Sequence, residues 1–199
     1  MKFLSDLISI ATTFFLVANP IGNSPTILAV VRDYSIAEQR RLLLRESCFA
    51  LLLALFFAYG GKAFLGAIFV ENYTLAIAGG VLLLLISLGM IFPNHPPMAA
   101  EKKSAPLFVP IATPLICGPG LLTTIMLDSQ RYPEFGLITM ALLTAWIAIT
   151  TCLVLSPYLN ILLKERGMLA LEQLMGMLLL LIGVEMLTGG LLLMMTAHR

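Results

Sequence analysis

Residues 18–25 read Ala-Asn-Pro-Ile-Gly-Asn-Ser-Pro, and residues 112–119 read Ala-Thr-Pro-Leu-Ile-Cys-Gly-Pro. The alanine and both prolines recur at the same spacing, and each octapeptide lies within a long apolar stretch. A proline inside a helix removes one hydrogen-bond donor and clashes with the preceding turn. Each octapeptide therefore predicts a point at which a helix stops and restarts.

The composition around these octapeptides indicates a membrane protein. Of 199 residues, 59% are hydrophobic and 12% charged, and the mean hydropathy is +0.97. A soluble domain carries about 25% charged residues, so this chain needs a bilayer as solvent. About 20 apolar residues cross the hydrocarbon layer. Six segments have that character: 4–31, 43–66, 73–92, 107–127, 135–157 and 171–194.

The octapeptides also predict the domain organisation. They divide the chain into a first three-helix repeat (1–92), a proline-rich linker (93–106) and a second three-helix repeat (107–199). Residues 80–90 and 176–186 form a second, weaker pairing, because leucine-rich runs match easily by chance. An odd number of segments per repeat makes the second copy inverted, a recurring transporter plan. The predicted fold is therefore an all-α membrane protein with helices 1 and 4 broken at Pro/Gly motifs.

The distribution of positive charge predicts the orientation. Eight of the twelve Lys and Arg residues lie in or beside the links after the first, third and fifth segments. Cytoplasmic loops are enriched in these residues, so the linker 93–106 is predicted to be cytoplasmic and both termini to face outward.

Two interrupted helices in a small membrane protein predict a polar cavity. Unwound backbone at membrane depth is tolerated only where protein buries it or where it lines a wet cavity. The restarting half-helices present free amides and a positive dipole end, which suit a carboxylate, while the freed carbonyls suit an ammonium group or a cation. The candidate substrate-binding residues are Asn19, Pro20, Gly22, Asn23, Ser24, Pro25, Thr113, Pro114, Cys117, Gly118, Pro119, Gly120 and Thr123. The alternative is that both breaks are packing kinks.

Local roles follow from residue type. Gly22 is expected to adopt backbone conformations that other residues avoid. Ser24 is expected to cap the restarting helix with Pro25 at its first position. In the second copy Gly118 caps and Pro119 restarts the helix.

Glu185 is the one carboxylate well inside an apolar segment. A charge near the bilayer centre costs about 2.5 kcal/mol or more, so it is a candidate proton-coupling residue. The alternatives are a position nearer the outer surface, an ion pair with Lys62, and a neutral, hydrogen-bonded carboxyl group. Arg45 and Glu46 are read as interfacial anchors, with a cytoplasmic gate as the alternative.

Other function classes lack the necessary residues. The sequence has no basic patch with interleaved aromatic residues, so no nucleic-acid partner is expected. Its three cysteines form no metal or disulfide pattern and read as buried apolar residues. The segments hold no nucleophile–base pair or metal triad, so an enzyme is not expected. The predicted partners are the lipid bilayer and a small zwitterionic amino acid, with no cofactor beyond a coupling H⁺ or Na⁺; the sequence does not predict an oligomeric state.

The two octapeptides, each followed two segments later by a Gly-rich apolar helix, resemble the MarC-type family, also called the small neutral amino acid transporter family. The resemblance covers essentially the whole chain. It implies a six-helix inner-membrane protein of bacteria or archaea, and some members are thought to move glycine and alanine with protons. Cys117 stands where the family often has a small residue such as alanine. The alternatives are an exporter of another small metabolite and a membrane accessory protein without transport activity.

Overall fold

The computed structural model describes residues 2–31, 34–67, 69–92, 116–132 and 134–197, and within them all regular structure is helical. The helices are α1 (Lys2–Ala18), α2 (Ser24–Val31), α3 (Ile36–Ala67), α4 (Asn72–Ile91), α5 (Pro119–Arg131) and α6 (Phe135–Ala197). The prediction of an all-α fold is confirmed. The linker 93–106 and the candidate residues Thr113 and Pro114 lie outside the described residues.

Four helical stretches are long and apolar enough to cross a membrane: Ile36–Ala67, Asn72–Ile91, Gly136–Leu159 and Arg166–Ala197. They coincide with the second, third, fifth and sixth predicted segments. The first predicted segment is divided between α1 and α2, and the fourth is described only from residue 116 onward. Six membrane crossings in two inverted repeats therefore stay a prediction.

Helix α6 folds back on itself. It has 63 residues and would extend about 95 Å if it were straight. Tyr132, just before its start, and Gly189, near its end, nevertheless line the same cavity. The chain direction must therefore change within α6, which contains the internal Pro157. The spans Gly136–Leu159 and Arg166–Ala197 are called here the first and second halves of α6. The two halves of α6 thus cross the molecule in opposite directions.

Helix α3 packs against the first half of α6 through polar contacts. The Trp146 Nε1–H donates to the backbone oxygen of Ser47 at 2.9 Å, and the Ser47 and Thr150 hydroxyls are 2.6 Å apart. Interhelical hydrogen bonds of this kind stabilise membrane helix pairs.

Helix α3 begins with a capping box. The Ser35 amide donates to the Glu38 carboxylate at 2.9 Å, and the Glu38 amide donates to the Ser35 hydroxyl at 3.4 Å.

Helix α4 packs closely against the second half of α6 at glycine residues. A Cβ added to Gly80 would lie 2.7 Å from the Leu187 backbone nitrogen and 2.8 Å from the Gly183 backbone oxygen. A Cβ on Gly176 would lie 3.2 Å from the Ser87 backbone oxygen. Small residues at such positions let two membrane helices approach with their backbones almost in contact.

Replacing Gly80 with alanine should separate these two helices. The new methyl group meets backbone atoms that cannot rotate away, so we expect Gly80→Ala to lower the unfolding free energy by about 1–3 kcal/mol. Gly89→Ala is the matched control, because a Cβ there meets no heavy atom within 4 Å. Thermal unfolding of the detergent-purified variants measures the difference, and equal melting temperatures would contradict the close approach.

Candidate functional site

The chain between α1 and α2 is held by its own side chains. Asn19 is 1% exposed and has φ of 49°, in the left-handed region that asparagine tolerates better than most residues. Its side-chain oxygen accepts the Gly22 amide hydrogen at 3.1 Å. No described glycine has a positive φ, so the prediction that Gly22 adopts the unusual conformation is wrong. The left-handed turn lies at Asn19.

Two further hydrogen bonds close the break. The Asn23 side-chain amide donates to the Ala18 backbone oxygen at 3.2 Å, and the Ser24 hydroxyl donates to the Pro20 backbone oxygen at 2.7 Å. Ser24 therefore donates toward the preceding turn instead of accepting an amide hydrogen as a cap, and it is itself the first residue of α2. The predicted capping role of Ser24 is wrong, and Pro25 lies at the second helical position. Carbonyls freed by the break thus already have donors.

Glycines beside the breaks provide room. A Cβ on Gly22 would lie 2.5 Å from the Asn19 side-chain nitrogen and from the Met90 methyl carbon. The same Asn19 nitrogen donates to the Met90 sulfur at 3.3 Å, which connects the break to α4. A Cβ on Gly120 would lie 2.6 Å from a methyl carbon of Leu83. The missing side chain at Gly120 therefore leaves room for Leu83 of α4.

The second octapeptide is described from residue 116. Gly118 is the N-cap of α5 and Pro119 begins the helix, as the sequence predicts. Cys117 is completely buried. The Thr123 hydroxyl donates to the Pro119 backbone oxygen at 2.8 Å, which turns it toward its own helix. Amides in the first turn of a helix have no partner within that helix, so α5 begins with free donors.

The end of α1 and the start of α5 meet at a cavity of about 40 Å³, here called the small cavity. It is lined by Val17, Ala18, Asn19, Asn23, Leu83, Ile86, Ile116, Gly118, Gly120, Leu121 and Leu179. Leu83 lies near the middle of α4, so the α1–α2 break and the start of α5 are at mid-depth of that helix. Among the described candidates, Asn19, Asn23, Gly118 and Gly120 are brought together here. The other described candidates are not among its lining residues: Pro20, Gly22, Ser24, Pro25, Cys117, Pro119 and Thr123.

A cavity of about 900 Å³, here called the large cavity, lies between α1, α4, α5 and the second half of α6. Its polar lining residues are Ser9, Thr13, Asn72, Thr124, Asp128, Gln130, Arg131, Tyr132 and Glu185. Asn72, Arg131 and Glu185 are exposed, so the cavity is open. Glu185, the predicted coupling residue, thus lines an open cavity. One of the predicted alternatives, an ion pair with Lys62, does not form.

Asp128 is the lining residue that sequence reasoning missed. It follows the last residue of the fourth predicted segment, 107–127, and was not distinguished there from a loop residue. The available signal was its spacing, because Thr124, Asp128 and Arg131 recur at four and three residues on one face of α5. All three line the large cavity.

Arg45 and Glu46 form an ion pair, with Arg45 Nη2 2.8 Å from Glu46 Oε1. The Arg45 side chain is 47% exposed, which fits an interfacial position, whereas the Glu46 side chain is 4% exposed and does not. Glu46 precedes Ser47, whose hydroxyl contacts Thr150 near the middle of the span Gly136–Leu159. The carboxylate is therefore a buried charge inside the helix bundle.

Apolar helices of membrane length, a non-helical break at mid-depth and two cavities define the class of this protein as a polytopic membrane protein. The chain belongs to the MarC family of integral membrane proteins, whose family pattern matches residues 4–195.

Similar proteins come from several bacteria. The UPF0056 inner membrane protein YhgN of Escherichia coli K12 is 35% identical over 192 residues, covering 94% of this chain and 96% of that protein. A UPF0056 membrane protein of Buchnera aphidicola subsp. Baizongia pistaciae is 33% identical with the same coverage. One of Chlamydia trachomatis is 30% identical over 194 residues, covering 96% and 92% of the two chains. No solved structure matches the chain.

Replacements of Asn19 should separate its backbone role from its side-chain role. Asn19→Gly keeps the left-handed conformation accessible and loses only the side-chain hydrogen bonds, worth about 0.5–1.5 kcal/mol each. Asn19→Ala also pays about 1–2 kcal/mol for the left-handed backbone. We therefore expect melting temperatures to fall in the order wild type, Asn19→Gly, Asn19→Ala. An alanine variant as stable as the glycine variant would contradict the left-handed turn.

Removing Arg45 should leave the Glu46 carboxylate buried without its ion-pair partner. We expect Arg45→Ala to lower the unfolding free energy by about 1–3 kcal/mol, because a buried charge without a partner keeps its desolvation cost. Arg45→Ala/Glu46→Gln should recover part of this loss, since the second substitution removes the charge. Unfolding of both variants in detergent measures the difference, and a double variant no more stable than the single one would refute the explanation.

Proposed function

We propose that the protein transports small neutral amino acids, of the size of glycine and alanine, across the inner membrane of bacteria. The observation that carries this proposal is the meeting of the α1–α2 interruption and the start of α5 at the small cavity, beside the middle of α4. Backbone that leaves the helical conformation inside a membrane is costly unless it serves a site. The family membership and the inner-membrane relative in Escherichia coli support this assignment.

The chemistry of the small cavity favours a zwitterion. The start of α5 offers free amides and the positive end of a helix dipole, which attract a carboxylate. Asn19 and Asn23 contribute neutral side chains whose oxygen atoms can accept hydrogen bonds. The small cavity contains no fixed charge, so a solute with equal and opposite charges is favoured over an ion.

The contacts between α4 and α6 support the inverted repeat. The weaker sequence pairing matches Gly80 with Gly176 and Ser87 with Gly183. In the structure Gly80 approaches Gly183, and Gly176 approaches Ser87. Replacing each residue of the Gly80–Gly183 contact by its repeat partner gives the Gly176–Ser87 contact. A two-fold axis between the helices would relate two contacts in this way.

Transport requires the small cavity to expand. A volume of about 40 Å³ accommodates a water molecule but not an amino acid. The large cavity reaches within about one helical turn of the small cavity, because Thr124 lines the former and Leu121 the latter. We propose the large cavity as the access route, opening on the outer side in the orientation that the charge distribution predicts, with both termini outside.

Glu185 is proposed to couple transport to protons. Its carboxylate lies at the large cavity, where protons from the adjoining solution reach it, and it has no counterpart in the first repeat, where the matching residue is Gly89. The proposal includes uptake driven by a proton gradient; export of another small metabolite is the alternative within the same class.

Reconstitution into liposomes tests the proposal. We expect saturable uptake of labelled glycine or alanine that a proton gradient accelerates. Gly120→Leu should abolish uptake by filling the small cavity, whereas Gly136→Leu, where a Cβ meets no heavy atom within 4 Å, should retain it. Glu185→Gln should remove the response to the gradient. Absence of saturable flux for a panel of small zwitterions would refute transport, and a full gradient response in Glu185→Gln would refute the coupling role.

A further inference from the structure

The large cavity contains two carboxylates that are not neutralised by ion pairs. Asp128 on α5 and Glu185 on α6 both line it, and within the described part of the chain neither forms an ion pair. Among the described residues Arg131 is the one cation of the lining. Its guanidinium lies over the Tyr132 ring, 5.7 Å from the ring centre, and its charge also attracts the Asp128 carboxylate three residues earlier. The charged groups lining the cavity therefore sum to a negative charge.

Neutral acceptors surround the carboxylates from other helices. Ser9 and Thr13 of α1 and Asn72 of α4 line the same cavity. The Thr13 hydroxyl donates to its own helix, to the Ser9 backbone oxygen at 3.0 Å, and so keeps its oxygen free to accept. A solute in the cavity is thus faced by acceptors from four helices, with a carboxyl group on two of them.

We propose that the large cavity is a binding site for the ammonium group of small solutes, separate from the site at the small cavity. An ammonium group is a compact cation with three hydrogen-bond donors and no acceptor, which matches two carboxylates with neighbouring hydroxyl and amide oxygens. The volume of about 900 Å³ is within the range of small-molecule sites. The negative end of the α5 dipole lies on the same side and adds to the preference for a cation.

The inference rests on the proposed transport function and adds a recognition step to it. Asp128 lies eight residues after Gly120, which is about 12 Å along α5. One small amino acid cannot contact both residues at once, so the two sites act in sequence. The large cavity holds the ammonium group of an arriving amino acid and rejects anions, and the start of α5 then receives the carboxylate.

Direct binding of a carboxylate-free amine tests this inference. Labelled ethanolamine carries the ammonium group alone, and propionate carries the carboxylate alone. We expect ethanolamine to bind the purified protein in lipid nanodiscs and propionate not to compete with it. Asp128→Asn/Glu185→Gln should weaken ethanolamine binding about tenfold or more, since each charge-assisted hydrogen bond contributes about 1.5–3 kcal/mol.

Two variants keep the test interpretable. Glu134→Gln removes an exposed carboxylate that does not line the cavity, and it should bind ethanolamine like the wild type. Asp128→Glu keeps the charge and should retain most of the affinity, which a mere folding defect at position 128 would not allow.

The outcomes separate this inference from the proposed transport. Absence of ethanolamine binding to the wild type, or equal binding to the double variant and Glu134→Gln, would overturn the ammonium site even if glycine flux were present. Binding that depends on Asp128 and Glu185 in a protein without glycine flux would support the ammonium site and refute transport.

Discussion

Backbone polar groups inside a bilayer need partners, and the connection between α1 and α2 meets this requirement with side chains from its own sequence. Asn19, Asn23 and Ser24 each bond to a backbone group within five residues. These bonds hold the turn from within its own sequence, and the Asn19 amide adds a bond to Met90 of α4. The end of α1, the start of α2 and one wall of the small cavity all depend on these three local bonds.

The α4–α6 pair fixes where the break lies relative to the rest of the bundle. Glycines let the two backbones approach closely, and the Met90 sulfur of α4 accepts a hydrogen bond from the Asn19 side-chain amide. A shift of α4 along α6 would move Met90 and Leu83 together, and Leu83 fills the space beside Gly120. The α1–α2 break and the start of α5 are therefore both connected to α4.

The positions of the helix ends were predictable from the sequence because proline and glycine act through the local backbone. Gly118 and Pro119 begin α5 where their residue types indicate. The direction of the Ser24 hydroxyl was not predictable, since a serine at a helix start can accept an amide hydrogen or donate to a preceding carbonyl, and the break decides which. The sequence suggested that Gly22 supplies the unusual backbone conformation, which lies at Asn19 instead. A glycine is needed at position 22 because Met90 of α4 leaves no room for a side chain, and the sequence alone does not show that contact.

The three-dimensional surroundings of individual residues were harder still to predict from the sequence. Asp128, which the sequence analysis did not single out, lines a cavity, and Glu46, predicted to be an interfacial anchor, is buried and paired with Arg45. The unequal sizes of the two cavities have an electrical consequence. If the large cavity is the access route that we propose, water in it brings the potential of one solution to Glu185, and the voltage across the membrane then falls mainly over the opposite half of the protein. Full transfer of one charge is worth about 2.3 kcal/mol per 100 mV, and a proton that only reaches Glu185 from the open side collects little of that energy.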